Sequence, residues 1–189
     1  MRVVVVEGPE PVVTWEEADA HLRLDGDAEQ KPYVESLIAS VTAHLDAPKG
    51  WLGIALGRQT LQARFSLLGH DAVLLPYGPV SELVNVKYLD AAGVEQTASN
   101  DEFELLGNEL IPAGTVWPWV GGSGRREAGR VTYLTGYEEV PVPIKAAILM
   151  MVADLYRFRT TASDMNITAT AIPMAATAEA LLQPYRVYS

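Results

Sequence analysis

Hydrophobic periodicity changes twice along this chain, from helical to alternating and back. Val34, Leu37, Ile38, Val41 and Leu45 recur at i, i+3, i+4, i+7 and i+11, which puts them on one face of an α-helix. Ile144, Ile148, Met151, Val152, Leu155 and Phe158 draw a second helical stripe. Between the two stripes, from Arg58 to Tyr137, short alternating or β-branched runs are cut by Gly, Pro and Asp turns. A stripe or a one-sided strand must bury its apolar face against another element. This order of textures therefore predicts an α+β fold. Two main helices plus short ones form a bundle core, an antiparallel β-module is inserted between them, and an extended C-terminal arm follows.

Local signals sharpen the boundaries. Thr14-Trp15-Glu16-Glu17 reads as a capping box, with Thr14 as N-cap and Glu17 reaching back. A short helix follows and breaks at Asp25-Gly26-Asp27. Pro32 suits a first helical turn, so the next helix starts near Lys31 and ends at Pro48-Lys49-Gly50. Strands are predicted at 59–67, 72–75, 83–89, 102–106, 109–111 and 130–135. Pro143 opens the last long helix, and Arg157 and Arg159 complement the dipole at its end. The expected organisation is one domain over 1–160, with helices in 14–47 and 142–160 and the β-module in 58–137. The arm covers 161–189, with a short helix at 175–182.

Charge and cysteine content narrow the function classes. The chain of 189 residues has no cysteine, which excludes disulfides, thiolate metal sites and cysteine nucleophiles. Its net charge is −10, from 24 acidic and 14 basic residues. Gripping phosphates needs clustered Lys and Arg, so specific nucleic-acid binding is not expected, whereas an acidic wall lets DNA slide past. The apolar run Val3 to Val6 is too short for a signal sequence, and no stretch approaches a membrane span. The expectation is a soluble chain made in a cytoplasm, with no membrane partner.

The search for reactive chemistry returns no catalytic, metal or cofactor site. His21, His44 and His70 fall in three different elements with no partner at ligand spacing. Asp25-Gly26-Asp27-Ala28-Glu29 lacks the ordered spacing of a calcium loop. Gly121-Gly122-Ser123-Gly124-Arg125-Arg126 lacks the Lys-Ser/Thr ending of a phosphate loop. It reads as a hairpin loop whose Arg125 and Arg126 are candidates to face DNA or a neighbouring protein. Trp117-Pro118-Trp119 could stack on a ligand, but covering the edge of the β-module fits better. The tail Leu181, Leu182, Pro184, Tyr185, Arg186, Val187 and Tyr188 carries the residue types of interface anchors, on an arm that either docks on a partner or folds back on its own domain.

Several segments, in order, resemble the head–tail connector (head-completion adaptor) family of long-tailed phages and gene transfer agents. They are Ala20-His21-Leu22-Arg23-Leu24-Asp25, Glu35-Ser36-Leu37-Ile38-Ala39, Gly57-Arg58-Gln59-Thr60 and Leu75-Pro76-Tyr77-Gly78-Pro79-Val80. Further on come the hairpin from Val86-Lys87-Tyr88 to Glu95-Gln96, and Val131-Thr132-Tyr133-Leu134-Thr135-Gly136-Tyr137. Pro143-Ile144-Lys145-Ala146-Ala147-Ile148-Leu149 and Ala180-Leu181-Leu182-Gln183-Pro184-Tyr185-Arg186 complete the set. The Val3 to Val6 strand and the Gly121 to Arg126 loop fall outside the family's pattern. The resemblance implies a non-enzymatic virion protein at the head–tail junction, working as a ring of copies, commonly twelve, beneath the portal. Such a ring extends the DNA channel and offers a platform to a tail-side stopper or terminator, and its C-terminal segment docks on the portal. Other neck or tail-completion proteins are the nearest alternative, and a ligand-binding β-module using Trp117 and Trp119 is a more distant one.

Overall fold

The computed structural model describes residues 1–67, 72–114, 117, 119, 124–158 and 175–188. The chain forms two compact units, one of Met1–Glu10 and Ile54–Glu138, the other of Pro11–Gly53 and Glu139–Ser189. Among the described residues, the first holds all eight strands and the second all four α-helices.

Eight strands build the first unit: β1 (Arg2–Glu7), β2 (Gln59–Phe65), β3 (Val73–Leu74), β4 (Val80–Leu89), β5 (Glu95–Ala98), β6 (Phe103–Leu106), β7 (Glu109–Pro112) and β8 (Gly129–Thr135). An antiparallel five-stranded sheet runs β1-β2-β8-β4-β5, and a smaller one runs β3-β7-β6. Alternation along the strands sets the two faces. Leu61, Ala63 and Phe65 of β2, Val131 and Tyr133 of β8 and Val86 of β4 point into the core, joined by Val73, Phe103 and Leu110 from the smaller sheet. Residues of opposite parity (Gln62, Arg64, Arg130, Thr132, Lys87) make the outer face.

Tyr133 is fully buried, and its hydroxyl donates to Pro76 O at 2.7 Å. Burial, and after it the neighbouring Tyr77 phenol, pushes the Tyr133 phenol well above its ordinary 10.0. The fold keeps this proton while an unfolded chain releases it near pH 10, so the unfolded state binds fewer protons above that point. The contribution of Tyr133 is complete below pH ~10 and is lost as pH climbs further. Thermal melts across this range should show a steeper alkaline loss for the wild type than for Tyr133→Phe. The variant should also lose about 1 kcal/mol at neutral pH, because Pro76 O loses its donor.

Four helices build the second unit: α1 (Trp15–Leu22), α2 (Lys31–Leu45), α3 (Val142–Arg157) and α4 (Ala176–Leu182). The Thr14 capping box forms as read, with Glu17 N donating to Thr14 Oγ1 at 3.2 Å and Thr14 N to Glu17 Oε2 at 2.9 Å. Pro32 occupies the first turn of α2. The stripe Val34, Ile38, Val41 and Leu45 is buried, as are Ile144, Ala147, Ile148, Met151 and Val152 of α3, which packs on α1, α2 and α4. Lys145 of α3 donates to Glu17 at 2.8 Å. Partial burial works against the Glu17 charge, yet that bond and the Thr14 N–H prevail and hold the carboxyl below its ordinary range. One expectation is corrected here. Phe158 belongs to the predicted stripe but is 61% exposed, because the chain leaves helical geometry there, at φ −105. Its ring carries the Arg157 guanidinium instead, 5.5 Å from the centroid.

Candidate interaction surfaces

The tail ends folded, not loose. Within 175–188, α4 is followed by a 3-10 turn over Gln183–Tyr185. Leu182 and Ala178 are fully buried and root the segment in the helical unit. Leu181, Tyr185 and Arg186 are half-buried, and Pro184, Val187 and Tyr188 are exposed. The Arg186 guanidinium lies 4.0 Å from the Trp51 ring centroid and 4.6 Å from that of Tyr188, sandwiched between two aromatic faces. Gln183 Nε2 donates to the Tyr188 hydroxyl at 3.0 Å, and Val187 N to Leu52 O at 2.8 Å. Gly53, at φ +70, allows this approach, since a Cβ there would stand 2.5 Å from Val187 O. The preceding stretch 161–174 and Arg159 lie outside the described residues.

Trp119 belongs to the core, and the half-buried Trp117 packs against it. Trp119 is 4% exposed, and Trp117 stacks on it at 4.5 Å with the planes 14° apart. Phe103, Phe65 and Tyr88 take the remaining approaches to Trp119 at 5.9–6.2 Å. Both faces of Trp119 are taken by these rings, and the pair reads first as packing of the β unit. Arg125 and Arg126 are exposed, Arg125 reaching toward the Gly93 turn and Arg126 lining a hollow with Arg2, Arg64 and Glu127. Residues 121–123 of that loop, and His70, are outside the described residues. Asp25 and Gly26 form a left-handed turn whose Gly26 N donates to Asp19 Oδ1, and Asp27 Oδ1 accepts from Glu29 N just after it. Among the described residues no group of three or more His, Asp or Glu could hold a metal, and no helix is long and apolar enough to cross a membrane.

No family model matches the chain, and no curated protein matches it significantly. Solved structures do. A chain from the neck of a native gene transfer agent particle, computed with C12 symmetry, superposes with a TM-score of 0.66 at 20% identity, over 100% of this chain and 97% of the other. A chain from the neck of an empty gene transfer agent particle, computed with C6 symmetry, gives 0.69 at 20% identity with the same coverage. One from the virion of a native gene transfer agent particle gives 0.67 at 21%, again over 100% and 97%. This chain shares their fold from end to end.

The surface that sequence reading missed is the outer face of the larger sheet. Register sets Arg2 beside Arg64, Arg64 beside Arg130 and Arg130 beside Lys87, so four cations stand side by side across β1, β2, β8 and β4. Glu95 pairs with Lys87 at 2.9 Å and with Arg130, and hydrogen bonding from Lys87 holds its carboxyl below the ordinary range. Glu127 meets Arg2 at 3.1 Å and Arg64 at 3.9 Å. A shallow groove of about 580 Å³ runs over this face, lined by Arg64, Arg130, Lys87, Gln62 and Thr132 among others. No linear motif encodes the row, because its members come from four separate strands.

Proposed function

We propose that this chain is a structural subunit of a virion neck, a head–tail connector that acts as one copy in a ring and turns over no substrate. The observation that carries the reading is the end-to-end likeness of fold to neck chains of gene transfer agent particles. A ring of twelve copies is compatible with the C12 and C6 symmetries of those necks. The ring sits beneath a portal, extends the DNA channel, and presents its far side to a tail-side stopper or terminator. Duplex DNA passes without specific binding, in keeping with a net charge of −10. In a permanent ring each neighbour contact should bury about 2,000 Å² or more in total.

Portal docking falls to the tail. Leu182 is committed to the helical core, so the residues available to a partner are Pro184, Val187 and Tyr188, with the half-buried Tyr185 and Arg186 beside them. The direct test is the mass of the purified protein by light scattering, alone and with its cognate portal. A ring-sized species, or a portal complex that disappears on deleting 183–189, is the expected outcome. A monomer that ignores the portal overturns the reading.

A further inference from the structure

The two edges of the larger sheet differ. At β5 the edge is short and polar (Glu95, Gln96, Thr97), and Glu95 pairs with both Lys87 and Arg130, whereas Arg126 stands as a third cation beside Arg2 and Arg64 at the other end. At β1 the edge carries four consecutive valines with neither Lys nor Pro among them, and Val5 and Val6 are exposed. Edges of soluble sheets are normally blunted by charge, proline or a covering element. On β1 such devices sit only at the ends of the valine run, as Arg2, Glu7 and a register shift between Val5 and Glu7. The surplus of positive charge lies on this same flank. Arg2 and Arg64 share the single Glu127, and the exposed Arg126 forms no ion pair among the described residues. Like charges set directly opposite across strands are unfavourable. The isolated chain therefore carries both an open edge and an uncompensated cationic strip in one place.

An acidic corner of the β unit is its complement. A 3-10 turn over Asn100–Glu102 is fastened to β4 by Asn100 Nδ2, which donates to Leu83 O at 3.0 Å and Val84 O at 3.3 Å. It leads into β6, and Asp101, Glu102 and Glu104 are exposed there, with no ion pair among the described residues. Leu106, two residues beyond Glu104 along β6, is exposed as well. The β unit thus presents a cationic, valine-edged flank at β1 and an acidic corner on the 3-10 turn fastened to β4 and on β6 of the smaller sheet.

We infer that the β unit docks head to tail on a second copy of this chain, the Arg2–Arg64–Arg126 flank of one copy against the Asp101–Glu102–Glu104 corner of the next. Contacts between two different patches of identical subunits close into rings when the rotation allows. The inference rests on the ring reading and names the contact that builds it. Duplex DNA is the competing occupant of the cationic flank, but a chain of net charge −10 with Glu127 and Glu95 set among the cations is poorly matched to phosphate.

The test is a charge-swap measured by native mass spectrometry, with circular dichroism melts as the folding control. Arg64→Glu with Arg126→Glu should abolish ring mass, and so should Asp101→Lys with Glu102→Lys and Glu104→Lys. An equimolar mixture of these two assembly-deficient variants should regain rings, because each reversed patch then meets its complement in an alternating order. A chain carrying all five substitutions should form rings alone. Rings that survive either set of reversals, or a mixture of folded variants that stays monomeric, overturn the inference. So does loss of a duplex gel shift in the Arg64→Glu, Arg126→Glu variant while its rings persist. A wild-type chain that never exceeds monomer mass, alone or with portal, instead removes the ring reading beneath it.

Discussion

Trp119→Ala should cost about 3–5 kcal/mol, a large part of the 5–15 kcal/mol that holds a typical domain together. The indole is 4% exposed and contacts Trp117, Phe103, Phe65 and Tyr88, so truncation opens a large cavity among rings drawn from β2, β4 and β6. These rings come from strands of both sheets, and their loss would loosen the smaller sheet on the larger. Trp119→Phe keeps most of the volume and should cost markedly less. Trp117→Ala, at a half-buried position touching Trp119 and Phe103, should fall between the two. Urea unfolding followed by near-UV circular dichroism measures each. The series also separates two uses of a tryptophan pair. A ligand platform keeps a solvent-facing ring whose truncation leaves stability almost unchanged, within about 0.5 kcal/mol. That small effect would return the pair to the surface and overturn its assignment to the core.

Element type was legible wherever one period persisted. The α2 and α3 stripes, the Thr14 box and β8 follow directly from residue spacing. β5 was not among the predicted strands, because Glu95-Gln96-Thr97 carries no apolar alternation. It exists through its turn, where Asp90 Oδ1 accepts from Ala92 N and Val94 N and Gly93 adopts φ +81. The backbone bond from Val94, with its neighbours, keeps the Asp90 carboxyl ionised below the ordinary range. β1 was visible as a valine strand, but what pairs with it could not be read. Its partner β2 lies some fifty residues away, and the register that aligns Arg2 with Arg64 is a tertiary fact. The cationic row was invisible for the same reason. The tail's residue types were legible as anchors, but the Arg186 sandwich depends on Trp51, which no local pattern connects to it. Phe158 failed because periodicity alone does not say where a helix stops.

Gly136→Ala should be nearly as damaging as the loss of Trp119, for a backbone reason. Gly136 sits at φ +103, outside the range that side chains tolerate, and its N–H donates to Pro79 O at 3.0 Å. A Cβ there would stand 2.2 Å from Gly57 O and 2.9 Å from Arg58 N. Gly57 cannot give way, because its own missing Cβ faces Glu10 O at 2.1 Å. Three backbone segments are thus stacked at glycine contact, locked by Glu10 N to Arg58 O at 2.9 Å and Tyr137 N to Leu56 O at 3.0 Å. Forcing the alanine requires both a strained φ, about 1–3 kcal/mol, and displacement of packed main chain, about 1–3 kcal/mol more. Gly8→Ala is the control, since nothing lies within 4 Å of its Cβ position and the change should be near neutral. Gly136 closes β8 in the stretch Val131 to Tyr137, and β8 is the central strand that joins the β1-β2 half of the sheet to β4-β5. A destabilised Gly136→Ala chain should therefore also assemble poorly, its loss of ring mass tracking its lowered melting temperature. Full ring mass from such a chain would mean that the glycine junction is dispensable to the β unit.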